Sequence, residues 1–176
     1  MRVRHYAVCL SAIVVPGLAL AQAPSFDTGY YYRLATQFRG PDMQLDVING
    51  GDRNDFVHLA PADDVSGQLW HLMPAGGGAW RLSTMFRGES RCLDVVNGGE
   101  LDNMVHLAPC GNYTGQLWTI RQQGGAYRLT TAFRGPDMCL DIVNGGPGND
   151  QAQLAQCGNY TGQMWHFQPS RTRVTP

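Results

Sequence analysis

Lysine is absent from this chain: all 13 basic residues are Arg, and Glu89 and Glu100 are the only glutamates among 14 acidic residues. Charged residues make up 15% of the 176, well under the roughly 25% of ordinary globular chains. Long amphipathic helices and coiled coils are built from charged helix formers, so this deficit excludes them. The formal charge of −1 offers no basic surface to track a nucleic acid. No phosphate loop, nucleophile elbow or metal motif occurs, so no cofactor and no metal is implied. What the chain does have is 43% hydrophobic residues, 17 aromatics, 22 Gly and 10 Pro. Those apolar side chains need a core, which excludes disorder, and the Gly and Pro point to many turns.

The first 21 residues read as a removable address. Arg2 and Arg4 precede an apolar run to Leu20, and Ala19-Leu20-Ala21 supplies a small-x-small cleavage pattern. The run is too short for a membrane span and Pro16 interrupts it, so residues 1–21 are expected to be a secretory signal peptide rather than an anchor. Its removal takes Cys9 and two of the 13 Arg, leaving 11 Arg against 14 acids, a formal charge of −3. The product is expected to be secreted or periplasmic, where the four remaining cysteines favour disulfides.

The rest is one pattern written three times. Phe38, Phe86 and Phe133 recur at the same spacing as Asp46, Asp94 and Asp141, and as Trp70, Trp118 and Trp165. The step from Asp to Trp is constant, so the one missing residue falls between copies, in surface loops. The expected boundaries are a linker at 22–29, repeats at 31–78, 79–125 and 126–168, and a tail at 169–176. Copy one reads as strands at 31–38, 45–48, 56–60 and 68–73, with a turn at 39–42 and the positive-φ-tolerant Asn49-Gly50-Gly51. Twelve such strands and no helical period define an all-β chain. A repeat this short cannot bury its own apolar face, and repetition without an atypical capping copy favours closure on a threefold axis. The closed all-β threefold solution is a β-trefoil with twelve strands in three repeats.

Alternation places side chains on the two faces. With Leu45, Val47, Val57 and Leu59 turned to the core, Asp46 and His58 face outward, and so do Asp94 with His106 and Asp141 with Gln153. Trp70, Trp118 and Trp165 are core anchors, and Gln68, Gln116 and Gln163 sit at the core edge, where their amides need backbone partners. His71 and His166 are read as exposed strand positions. Cys92 and Cys110 occupy the same positions in copy two as Cys139 and Cys157 in copy three, whereas copy one has Gln44 and Ala62. That joint absence favours the pairs Cys92–Cys110 and Cys139–Cys157 over the other two connectivities. A zinc site is disfavoured, since no C-x-x-C or His pair accompanies them.

Three Gln-x-Trp motifs (Gln68-Leu69-Trp70, Gln116-Leu117-Trp118, Gln163-Met164-Trp165), in register with Leu-Asp-Val/Ile and paired cysteines, resemble the ricin B-type (R-type) lectin domain over about residues 30–168. The resemblance implies a non-catalytic carbohydrate-binding protein, for galactose-type sugars or polysaccharides, with one shallow outer pocket per repeat. It assigns sugar hydroxyls to Asp46, Asp94 and Asp141, supported by His58, His106 and Gln153. The family's stacking aromatic is replaced by Ala60, Ala108 and Ala155, and the Asn before Gln-x-Trp by Gly67, Gly115 and Gly162. Tyr113 and Tyr160, with Asn112 and Asn159, are candidate replacement platforms, or they pack over their own loop. Copy one has Val65 in place of the tyrosine, so copies two and three are expected to bind and copy one weakly or not at all. The rival reading is a protein-binding or inhibitory trefoil that has lost sugar binding. A glycosidase would need two suitably spaced carboxylates, and the repeated Asp occurs once per copy.

Overall fold

The computed structural model describes residues 24–175. The segment 1–21 read as a signal peptide lies outside the described residues. Copy one folds as β1 (Tyr30–Thr36), β2 (Met43–Val47), β3 (Val57–Pro61) and β4 (Trp70–Gly76). Copy two supplies β5 (Ala79–Thr84), β6 (Arg91–Val95), β7 (Val105–Pro109) and β8 (Trp118–Gln123). Copy three supplies β9 (Ala126–Thr131), β10 (Gly135–Ile142), β11 (Ala152–Gln156) and β12 (Trp165–Arg173).

Pairing of β1 with β4, β4 with β5, β5 with β8, β8 with β9, β9 with β12 and β12 with β1 closes a six-stranded barrel, which removes the open edges of a free sheet. Three hairpins, β2–β3, β6–β7 and β10–β11, complete the trefoil and meet one another through isolated bridges such as Phe56 to His106, His58 to Gln151 and Met104 to Gln153. The core is layered in threes. Leu34, Leu82 and Leu129 form one set, Leu45, Leu93 and Leu140 a second, and Trp70, Trp118 and Trp165 a third, all fully buried. Each such Leu contributes about 1.5–3 kcal/mol by leaving water. Each Trp donates its indole N–H to the carbonyl of Leu45, Leu93 or Leu140 at 2.8–3.0 Å, so none buries an unpaired donor.

Both disulfides form as read, Cys92–Cys110 and Cys139–Cys157. In copy one a polar bridge stands in their place. The Arg33 guanidinium donates to Gln44 Oε1 at 2.9 Å and to the Asp63 carbonyl at 2.6 Å, and pairs with Asp64 Oδ1 at 2.9 Å. The equivalent Arg81 and Arg128 donate to the carbonyls of Gly111 and Gly158.

Four local readings change. Gln68 belongs to a 3-10 turn, Ser66–Gln68, and not to a strand, because its side chain turns back to hold the preceding loop; Thr114–Gln116 and Thr161–Gln163 repeat this. His71 is buried rather than exposed, its Nε2 bonded to the Thr28 carbonyl at 3.0 Å and its Nδ1 lying 3.0 Å from Glu89 Oε1. Strand β12 runs on to Arg173, which lies opposite Tyr30, so the stretch read as a tail continues the barrel. The stretch read as a linker is docked by Phe26. Its ring centroid lies 5.6, 5.4 and 5.5 Å from those of Tyr32, Trp80 and Tyr127, which are equivalent positions in the three copies. Phe26 therefore sits on the pseudo-threefold axis and plugs the barrel.

Candidate functional site

Strand register brings the outward residues together in pairs. Asp46 lies directly opposite His58, Asp94 opposite His106 and Asp141 opposite Gln153. The carboxylates are held rigidly. Oδ1 of Asp46, Asp94 and Asp141 accepts the backbone N–H of the next residue at 2.7–2.8 Å. Oδ2 accepts the amide N–H of Gln68, Gln116 or Gln163 at 3.2, 2.9 and 2.9 Å. The same amide nitrogen donates to the carbonyl of Pro61, Pro109 or Gln156, and the amide oxygen accepts the N–H of Asp63, Gly111 or Gly158. Each buried Gln thus satisfies its donors and its acceptor while aiming the carboxylate. A carboxylate has about four acceptor sites, so about two stay free for a ligand.

The glycine before each Gln has a steric cause. A Cβ on Gly67 or Gly115 would run into Oδ1 of Asp46 or Asp94, and one on Gly162 would lie 2.5 Å from Oδ1 of Asp141. The carboxylate occupies the space that a larger side chain would take.

Each Asp forms part of an open cleft. The copy-one cleft, about 520 Å³, is lined by Asp46, Asn49, His58, Ala60, Val65 and Gly67 together with Phe86. The copy-three cleft, about 540 Å³, gathers Asp141, Asn144, Gln153, Asn159, Tyr160 and Phe38. The copy-two cleft, about 230 Å³, holds Asp94, Asn97, Tyr113, Thr114, Gly115 and Phe133. His106 and Asn112 do not line it; His106 instead lies against Phe56, with ring centroids 5.6 Å apart. Tyr113 and Tyr160 are 62% and 61% exposed, and each ring folds back over Gly111 or Gly158, where a Cβ would clash with it. Burial lowers the His58 pKa below its ordinary 6.5, against the opposing pull of Asp46 and Asp150. Burial lowers that of His106 likewise, with Asp94 and Asp55 opposing and Arg91 assisting.

Two sets of lining residues escaped the sequence reading. Asn49, Asn97 and Asn144 open the Asn-Gly-Gly turns, and Phe38, Phe86 and Phe133 open the Phe-Arg-Gly turns. Both were visible as repeated motifs. The place of each Phe was not, because it lines the cleft of a different copy from its own.

Among the described residues no cluster of three or more His, Cys, Asp or Glu could hold a metal ion, and no helix is long and apolar enough to cross a membrane. No curated protein sequence matches the chain. Solved structures with the same fold include a mosquitocidal holotoxin at 13% identity and TM-score 0.71, matched over 83% of this chain and 18% of that one. The designed threefold-symmetric protein ThreeFoil matches at 24% identity and TM-score 0.66, over 78% of this chain and 97% of its own. The Polyporus squamosus lectin, solved bound to Neu5Acα2-6Galβ1-4GlcNAc, matches at 21% identity and TM-score 0.66, over 82% of this chain and 50% of the lectin. This chain therefore spans less than a fifth of the holotoxin and half of the fungal lectin. The family model of the ricin-type β-trefoil lectin domain matches residues 79–175, more than half of the chain, and the chain belongs to that family.

Proposed function

We propose that this chain is a secreted, non-catalytic lectin that binds galactose-type sugars or polysaccharides through shallow clefts, one per repeat. The observation that carries the reading is the repeated carboxylate. Asp46, Asp94 and Asp141 are each fixed by a backbone N–H and a buried Gln amide at the floor of an open cleft. Two neighbouring sugar hydroxyls can donate to such a group at little cost in reorganisation. Family membership and the sugar-bound Polyporus squamosus lectin support carbohydrate as the ligand class. The absence of turnover is proposed because, among the described residues, each cleft is lined by a single carboxylate, and glycoside hydrolysis ordinarily needs two.

Copies two and three are proposed to dominate. Their clefts carry Tyr113 and Tyr160, where copy one has Val65. Supporting contacts come from His58 in copy one and from Gln153 and Asn159 in copy three. Two or three weak sites on one rigid body then act together on a multivalent surface. Secretion rests on the character of residues 1–21 and on the two disulfides. Replacing Asp94 and Asp141 together by Asn is expected to abolish retention on a galactose resin while far-UV circular dichroism stays unchanged. Undiminished retention of a resin-binding wild type would remove these carboxylates from the site.

A further inference from the structure

We propose that each sugar cleft is completed in trans, with the stacking platform supplied by the Phe of the neighbouring repeat: Phe38 for copy three, Phe86 for copy one and Phe133 for copy two. The inference rests on the carbohydrate reading above and names the residue that supplies its apolar wall. The positions where an aromatic was sought within each copy hold Ala60, Ala108 and Ala155, which offer no ring, and Tyr113 and Tyr160, which line the clefts of copies two and three, lay their rings back over Gly111 and Gly158 of their own loops. Yet each cleft does contain a half-buried phenyl ring, brought by the turn that follows the first strand (β1, β5 or β9) of a neighbouring copy.

The ring is held from both sides. The Phe38 N–H donates to the Thr161 carbonyl at 3.2 Å and the Gln37 N–H to the Met164 carbonyl at 2.8 Å, so Phe38 is bolted to the 3-10 turn at one wall of the copy-three cleft. The next residue, Arg39, crosses to the loop on that same copy: its Nε pairs with Asp150 Oδ1 at 2.7 Å and its Nη2 donates to Asn149 Oδ1 at 3.2 Å. The Arg39 guanidinium also lies over one face of the Phe38 ring, 4.4 Å from its centroid, and the ring is partly buried against the core, so a sugar packs on the part that the cleft leaves open. Copy one has the same arrangement, with Phe86 N–H on the Ser66 carbonyl, Arg87 on Asp55 and Asn54, and that guanidinium 4.2 Å from its ring centroid. An aromatic fixed beside a hydroxyl-binding carboxylate is what the C–H face of a pyranose packs against. Arg39 and Arg87 are positioning residues for it. A consequence follows that no within-repeat site would share: damage to the Phe of one copy is felt in the cleft of another.

The test uses a protein with only the copy-three cleft intact, carrying Asp46→Asn and Asp94→Asn, on an array of galactosides and neutral plant polysaccharides. Adding Phe38→Ala is expected to weaken its binding about tenfold or more, and Phe38→Tyr to restore it. In the same protein labelled with fluorophenylalanine, the bound array glycan is expected to shift the 19F signal of Phe38, identified by its loss in Phe38→Tyr. Unaltered binding in a folded Phe38→Ala protein, or a shift of the Phe133 signal in place of Phe38, would overturn the proposal. If the double-Asn protein binds nothing on an array that wild type does bind, copy three has no sugar site, and the carbohydrate assignment of that cleft fails before the question of its platform arises.

Discussion

At the scale of single residues, the site is governed by close packing around one carboxylate. Gly162 lies against Asp141 with no room for a methyl group. Gly162→Ala should push the carboxylate out of its place between the Ile142 N–H and the Gln163 amide. The expected cost is about 1–3 kcal/mol, as for other overpacking changes, together with loss of sugar binding at the copy-three cleft. Thermal denaturation and glycan titration of the variant measure the two effects separately. The histidines opposite the other two carboxylates make a pH-dependent contribution. Burial lowers the pKa of His58 and His106 in the folded state relative to an unfolded value near 6.5. Between the folded and unfolded values the unfolded chain binds more protons, so this stability is present above pH ~6.5 and is lost as pH falls through the folded pKa. His58→Gln with His106→Gln, which copies the residue already present at Gln153, should flatten the fall of Tm on acidification just below pH ~6.5. An unchanged slope of Tm against pH would contradict this.

At the scale of elements, the copies are locked in a ring by their loops. The residues in left-handed backbone, Asp55, Asn103 and Asp150, each offer a carbonyl to the next copy, at Leu107, Leu154 and Leu59. Asp55 and Asp150 also pair through Oδ1 with Arg87 and Arg39. Copy two breaks the pattern by writing Asp102-Asn103 where the others write Asn-Asp. Arg134 reaches Asp102 through Nη2, and both its buried Nε and the Asn103 Oδ1 are left without partners among the described residues. Exchanging the two, Asp102→Asn with Asn103→Asp, should restore the missing Nε contact. Asn is able to take over from Asp102 as acceptor of the Gly98 N–H, as Asn54 does for Gly50. The expected gain is at most about 1 kcal/mol, since the pair is partly exposed, and urea denaturation would measure it. This ring was only half legible in the sequence. The Phe-Arg-Gly and Asn-Gly-Gly motifs stand out as repeats, but spacing within a repeat carries no information on which copy a side chain touches. The Asp46–His58 pairing was legible because the two-residue period of strands fixes which side chains share a face. The turn that holds Gln68 was not, since nothing in the spacing distinguishes one tight turn from the start of β4.

At the scale of the whole molecule, threefold repetition makes both the fold and the clefts. The barrel closes because three equal units share one core, and its layers of Leu and Trp follow directly from the repeated positions in the chain. The plug does not. Phe26 precedes the first repeat and has no counterpart in the other copies, so only the assembled barrel reveals that Tyr32, Trp80 and Tyr127 converge on it. The clefts likewise belong to the assembly, with floor and wall drawn from different repeats. This arrangement accounts for a family member that lacks an aromatic at the expected position and yet keeps three carboxylates rigidly presented. The central claim is that those three carboxylates bind carbohydrate, and a glycan array tests it most directly. The protein is expected to bind a set of galactose-type glycans or polysaccharides, and the folded Asp46→Asn, Asp94→Asn, Asp141→Asn protein to bind none of them. An array left blank by the wild type, or lit equally by both proteins, would contradict the account.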